Sequence, residues 1–307
     1  MLELDTISKE VALLSSNSLV NSKERGLSPA QVAWKRFKKN RLAMWAGGVI
    51  ILLVLMAIAA PLIAPYPRDQ GDLSKRFSKP SREHWLGTDD MGRDVLTRLI
   101  YGAQASLAVG LVSTGISIVI GVTLGAISGY FGGLVDNLIM RLVDIFMCFP
   151  FFLMAIVMAA VLGPGIRTVM LVSGVLSWPG LARIVRAEVL AIKEREFVEA
   201  ARALGLSAPS IIWHHILPNV FAVLVVYATL GIAGGILGEA GLSYLGLGVK
   251  PPQPSWGNML HMAQNFTALT NYPWLWIPAG IMNLLTVLSI NVLGDGLRDA
   301  LDPKLRQ

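Results

Sequence analysis

Long runs without a charged side chain alternate with short, densely charged segments along the chain. No Asp, Glu, Lys or Arg occurs in 42–67, 99–135, 145–166, 168–182, 203–238 or 251–294. A helix crossing roughly 30 Å of hydrocarbon needs about 20 apolar residues. The runs therefore predict six transmembrane helices near 42–63, 105–130, 141–162, 168–187, 218–238 and 275–294, and an all-α, polytopic membrane protein. The fourth is the least regular. Pro179 predicts a kink or break within it, and Arg183 and Arg186 at its end call for guanidinium groups that reach up to the headgroups.

Composition agrees with the pattern: 54% of the 307 residues are hydrophobic and 15% charged, with mean hydropathy +0.59, against about 25% charged in soluble domains. Basic residues then orient the bundle. Lys35, Arg36, Lys38, Lys39 and Arg41 precede the first span and set the amino terminus in the cytoplasm. Six spans return the carboxyl terminus to the same side, where Arg298, Lys304 and Arg306 follow the last. Loop 66–103 runs against this rule with Arg68, Lys75, Arg76, Lys79, Arg82, Arg93 and Arg98, interleaved with Asp69, Asp72, Glu83, Asp89, Asp90 and Asp94. The net charge of +6 is thus mainly a topology signal, and no basic stripe interleaved with aromatics points to nucleic acid.

Some forty polar residues precede the first span, which does not fit a cleavable signal peptide. Residues 1–27 lack a period and are expected to form a disordered cytoplasmic tail. Ser28 and Pro29 are helix-start signals, and Val32, Trp34 and Phe37 among the bases suit an interfacial helix. The expected organisation is 28–66 for that helix and the first span, 67–101 for an extracellular segment, 102–296 for a core with a cytoplasmic loop at 188–217, and 297–307 for a cytoplasmic tail. Cys148, the single cysteine, allows no internal disulfide and is expected to be a small buried residue.

Candidate chemistry is sparse. No GxxxxGK[ST] phosphate loop occurs, so ATP energy would have to come from another subunit. Arg141, Asp144, Glu239 and Asp295 lie towards span ends, leaving the mid-membrane almost bare and disfavouring proton or sodium coupling. His214 and His215 are adjacent and do not share a helix face, which disfavours a metal site. Asp89–Gly92 lacks the alternating ligands of a calcium loop, and Thr88 with the Asp pair is expected to cap a helix starting near Arg93. No catalytic set, metal site or cofactor site is predicted. Ser113, Ser117, Gly121, Gly125 and Gly129 recur every four residues, as do Gly231 and Gly235, and predict close helix packing.

The remaining polar feature is 188–217. Glu196–Leu204 is strongly helix-forming, Gly205 is placed to end the helix, Ser207 and Pro209 start a second one, and Pro218 marks entry to the fifth span. This helix-turn-helix is either an ordinary surface loop or a docking element.

Glu199-Ala200-Ala201, then Gly205 and Leu217-Pro218, resembles the EAA motif of membrane subunits of binding-protein-dependent ABC importers. His215 departs from it where an apolar residue is usual, with Ile216 one place later. Leu86 to Asp94, Gly129-Tyr130-Phe131-Gly132-Gly133, Pro251-Pro252 with Pro254 to Gly257, and Gly294 to Pro303 are similar to the peptide/nickel branch, specifically the "C" permeases of dipeptide and oligopeptide importers. The similarity runs over about 34–307.

The resemblance implies half of a translocation pathway, paired with a homologous second permease as a heterodimer. It implies two ATP-binding subunits that hold ATP and magnesium, a periplasmic or extracellular solute-binding protein, and a prokaryotic cytoplasmic membrane. Glu199, Ala200, Ala201, Arg202, Gly205, Leu217 and Pro218 would couple to the ATPases; Asp89, Asp90 and Arg93, within external segments 66–103 and 239–274, would meet the binding protein. Nickel, glutathione or oligosaccharide as cargo, an ATP-independent carrier or channel, and a membrane scaffold are the alternatives.

Overall fold

The computed structural model describes residues 29–301, which are helical almost throughout. The expected amino-terminal tail with Ser28, and residues 302–307 with Lys304 and Arg306, lie outside the described residues, while 297–301 of the expected carboxyl-terminal tail continue the last helix. Helix α1 (Pro29–Lys39) leads through Asn40, whose side chain accepts the Ala43 N–H, into α2 (Arg41–Ile58) and a short α3 (Ala60–Ile63). Trp34 stacks on Phe37 and carries Lys38 over its ring, while Phe37 is buried with Ala43 and Ala300.

The second predicted span is α4 (Val95–Phe131), 37 residues long. It starts ten residues before the charge-free estimate because its first turn is capped by Asp94, which accepts the Thr97 N–H at 2.7 Å. The capping expected of Thr88, Asp89 and Asp90 is corrected accordingly. Asp89 Oδ1 instead accepts the N–H groups of Met91 and Arg93, closing the turn that precedes the helix.

The third span is broken. α5 (Gly133–Met147) and α6 (Phe151–Leu162) meet at 86°. Pro150 has no N–H to donate and forces Phe149 away from the α region, so the chain turns at 148–150. Cys148 stands exposed at this elbow rather than buried. Among the described residues, five helices are long and apolar enough to span a membrane, or six where the bent pair is counted as one span.

Pro179 does not break the fourth span, which runs unbroken as α7 (Ile166–Lys193). Arg183 and Arg186 are ion-paired. Arg183 pairs with Asp144, and Arg186 holds Asp136 with both Nε and Nη2 at 2.5 Å, so α5 supplies the countercharges.

After α7 come α8 (Glu196–Ala203), α9 (Ala208–Ile211), α10 (Leu217–Tyr244), α11 (Trp256–His261), α12 (Phe266–Asn271) and α13 (Ile277–Leu301). Helices α4 and α7 form the central pair. A methyl added to Gly121, Gly125 or Gly129 would stand 2.9 Å from Leu181 Cβ, 2.6 Å from Ala182 O or 2.8 Å from Val189 Cβ, so the missing side chains set the approach of the backbones. Gly231 and Gly235 do the same for α10 against Thr114 and Ser113. Because α1 packs on the end of α13, both described termini lie at one end of the bundle, the terminal face; segments 64–94 and 245–276 cover the far face.

Candidate functional site

Two polar constellations sit at opposite ends of the bundle. At the terminal face, α8 carries Glu196 and Glu199 in its first turn and Arg202 in its last, matching the helix dipole. It ends in a Schellman turn: Leu206 N–H donates to Ala201 O (3.2 Å) and Gly205 N–H to Arg202 O (3.0 Å), with Gly205 at φ +78°.

One face of this hairpin is pinned. Val198, Ala201, Ile211 and Ile216 are buried with Val189 and Ile192 of α7 and Ala126 of α4. The other face is open: Glu199, Ala200, Arg202 and Gly205 are exposed, as are the apolar Leu204 (82%) and Trp213 (69%). Arg202 lies 5.9 Å over the Tyr130 ring at the end of α4. Leu217 is half-buried and Pro218 exposed.

The second helix of the hairpin does not stop before Pro218. A π turn over Ile212–Ile216, closed by Leu217 N–H to Ile212 O, carries α9 into α10 as one stretch. Pro218 cannot donate to the preceding turn, and the widened turn accommodates its ring. At the departing motif position, His215 is half-buried and Ile216 takes the buried place.

At the far face, Asp89 is buried and paired with Arg93 (2.7 Å) and Arg98 (3.3 Å), while Asp90 and Arg93 are half-buried. Arg98 also donates to Pro252 O (3.2 Å), tying the start of α4 to the segment after α10. Next to this lies Glu239, fully buried, accepting from Ser106 Oγ (2.9 Å) and Ser243 Oγ (2.6 Å). Each serine in turn accepts a backbone N–H, Ser106 from Trp256 and Ser243 from Val249, both at 3.1 Å. Trp256, fully buried, donates Nε1–H to Leu99 O. A methyl on Gly257 would stand 2.8 Å from Glu239 Oε1, so only glycine fits there.

The structure thus gathers Glu199, Ala200, Ala201, Arg202 and Gly205 into one hairpin, with Leu217 and Pro218 at its exit. Asp89, Asp90 and Arg93 share one loop at the opposite end, and Gly121, Gly125 and Gly129 lie between them. Sequence reasoning missed Glu239 as the centre of a network. Its local signal was the serine four residues on, one helical turn away; the other partners are remote in sequence. It also missed the Asp136–Arg186 and Asp144–Arg183 pairs, 50 and 39 residues apart, for which no local pattern exists.

The described residues thus form a helical bundle with a bent helix pair, a capped hairpin on one face and a folded cap on the other. Residues 121–307 match the family model described as binding-protein-dependent transport system inner membrane component, and 28–80 match the N-terminal TM domain of oligopeptide transport permease C. The chain belongs to this family of ABC-importer permeases.

Among its relatives, the dipeptide transport system permease protein DppC of Alkalihalophilus pseudofirmus is 43% identical over 91% of this chain and 91% of its own. The oligopeptide transport system permease protein OppC of Bacillus subtilis is 41% identical, covering 97% of both chains. The glutathione transport system permease protein GsiD of Shigella boydii is 41% identical over 96% of this chain and 97% of its own. A chain of the inward-facing MetNI methionine ABC transporter shares the fold, with TM-score 0.55 and 21% identity over 67% of this chain and 96% of that one.

Proposed function

We propose that this chain is the membrane half of an ATP-driven peptide importer of a prokaryotic cytoplasmic membrane, coupled to ATPase subunits through the α8–α9 hairpin. The observation that carries the reading is the hairpin itself. Its inner face is fixed to α4 and α7 by buried Val198, Ala201 and Ile211, while its outer face offers Glu199, Ala200 and apolar Leu204 to a partner. A push on that surface reaches two central helices. Di- or oligopeptides are the proposed cargo because two of the relatives named above are dipeptide and oligopeptide permeases and a third serves glutathione, itself a short peptide.

In this reading the terminal face is cytoplasmic. Two ATPase subunits bind there with ATP and magnesium, and their closure moves the hairpins of this chain and a homologous second permease. A solute-binding protein releases peptide onto the far face, where the Asp89–Arg93 loop and the segment after α10 form the receiving surface.

The test is reconstitution with the second permease, the ATPases and the binding protein in proteoliposomes. Uptake of labelled dipeptide that requires both ATP and binding protein is expected. Uptake without the ATPases would make the chain a carrier, and unchanged uptake in cells lacking it would make it a scaffold.

A further inference from the structure

Helices α4, α7 and α10 border an open hollow of about 510 Å³ whose wall includes Ser113, Thr114, Ser117, Tyr227, Gly231 and Gly234. A second hollow of about 350 Å³ shares Ile184, Tyr227 and Leu230 with it and runs to Arg298 near the terminal face. A third, about 230 Å³, shares Phe151 and Ser177 and lies against the α5–α6 elbow. They form one trough, and the central part has no charged side chain.

The hydroxyls of this trough are incompletely used. Thr114 and Ser117 are 5% and 1% exposed, and neither side-chain oxygen has a hydrogen-bond partner. Tyr227 donates to Ser177 O at 2.9 Å and stands close to Ser117, with only a poorly aligned contact to its Oγ. Buried hydroxyls are normally paired, so two on one wall without a well-formed partner in the protein are available to a polar group. The rest of the α4 stripe, Gly121 to Gly129, packs on α7; Ser113, Thr114 and Ser117 are the part that meets the hollow.

We propose that this trough is a binding subsite for the main-chain amides of a short peptide during passage, with Thr114 and Ser117 as the groups that pair with it. A hydroxyl both donates and accepts, which suits the alternating N–H and C=O of a peptide and ignores its side chains. The central hollow lies within the 300–1,000 Å³ typical of small-ligand sites. The inference rests on the peptide-importer reading and adds to it a defined contact surface.

Gly234 supplies the test, because a Cβ there meets nothing within 4 Å. In the assembled importer carrying Cys148→Ala and Gly234→Cys, a small water-soluble methanethiosulfonate reagent should label position 234. Dipeptide at ten times its half-saturating level should slow labelling about tenfold. Gly180→Cys, also in open space and on the third hollow, serves if Gly234→Cys fails to assemble. Gly48→Cys on the exposed face of α2 is the control and should stay unlabelled. Thr114→Val and Ser117→Ala should each lower uptake at sub-saturating peptide about five- to tenfold, with the loss shrinking at saturating peptide. Intact uptake with position 234 unreactive in every nucleotide state would mean that lipid or the second permease fills the trough, and would overturn the proposal. Labelling without peptide protection would overturn it equally. Absence of peptide uptake by the unmodified chain would instead overturn the importer's cargo.

Discussion

Gly205 turns the backbone through φ +78° between α8 and α9, a conformation glycine adopts without penalty. Gly205→Asp combines an unfavourable conformation with a negative charge at a helix C-terminus. It is expected to abolish ATP-dependent uptake while the chain still inserts at normal level, and normal uptake by this variant would remove the coupling role. Glu199→Lys keeps helix propensity and reverses an exposed charge. It should lower recovery of the ATPases with the purified permease several-fold, and an unchanged yield would count against docking at that residue. Gly125 is a packing residue of a different kind, since a side chain would strike the Ala182 carbonyl. Gly125→Val should separate α4 from α7 at a cost of about 1–3 kcal/mol, read as a lower midpoint of thermal unfolding in detergent.

At the scale of elements, α5 and α7 are joined by the Asp136–Arg186 pair, with Ser128 of α4 also bound to Asp136. The pair is partly shielded, between the weak surface case and the strong buried one, so Asp136→Asn should destabilise by about 1–2 kcal/mol. Thermal midpoints of the single variants and of the charge-swapped double variant Asp136→Arg with Arg186→Asp give the check: the swap should recover part of the loss.

Most helices were legible from sequence because charge-free length is set by the bilayer. The exceptions have local causes that hydropathy does not carry. Pro150 breaks a span that apolar character alone would make continuous, whereas Pro179 sits in an unbroken one. A proline's effect depends on whether its neighbours supply packing that keeps the helix going. The hairpin was readable because Gly205, Ser207 and Pro209 are local stop and start signals. The Glu239 network was not, since burial of that carboxyl depends on Ser106 and Trp256, brought from distant helices. Ala at Glu239 would leave the hydroxyls of Ser106 and Ser243 without their acceptor.

Across the whole molecule, the far-face cap is fastened by ion pairs and turns as well as by its apolar base. The Arg68 side-chain hydrogen bond holds the Asp69 carboxyl below the usual carboxylate range, the Ser74 hydroxyl does so for Asp72, and the Lys75 ammonium for Glu83. Each depressed value contributes stability that is present above the unfolded carboxylate pKa of about 4 and lost as pH falls through the folded value. Protease sensitivity of 66–94 should therefore stay flat from about pH 7.5 to 5 and rise only below about 4. A rise near pH 6 would place the fastening elsewhere.

Helix α4 has no proline among its 37 residues and, at 1.5 Å per residue, is about 55 Å long, well beyond a hydrocarbon layer of about 30 Å. Its first turns are embedded in the far-face cluster with Trp256, and its last in the cluster under the hairpin. Two of its neighbours are less regular: α5 and α6 meet at an elbow, and α10 is entered through a widened turn. α4 is accordingly the one uninterrupted rod that ties the packing beneath the hairpin to the packing beneath the far-face cap.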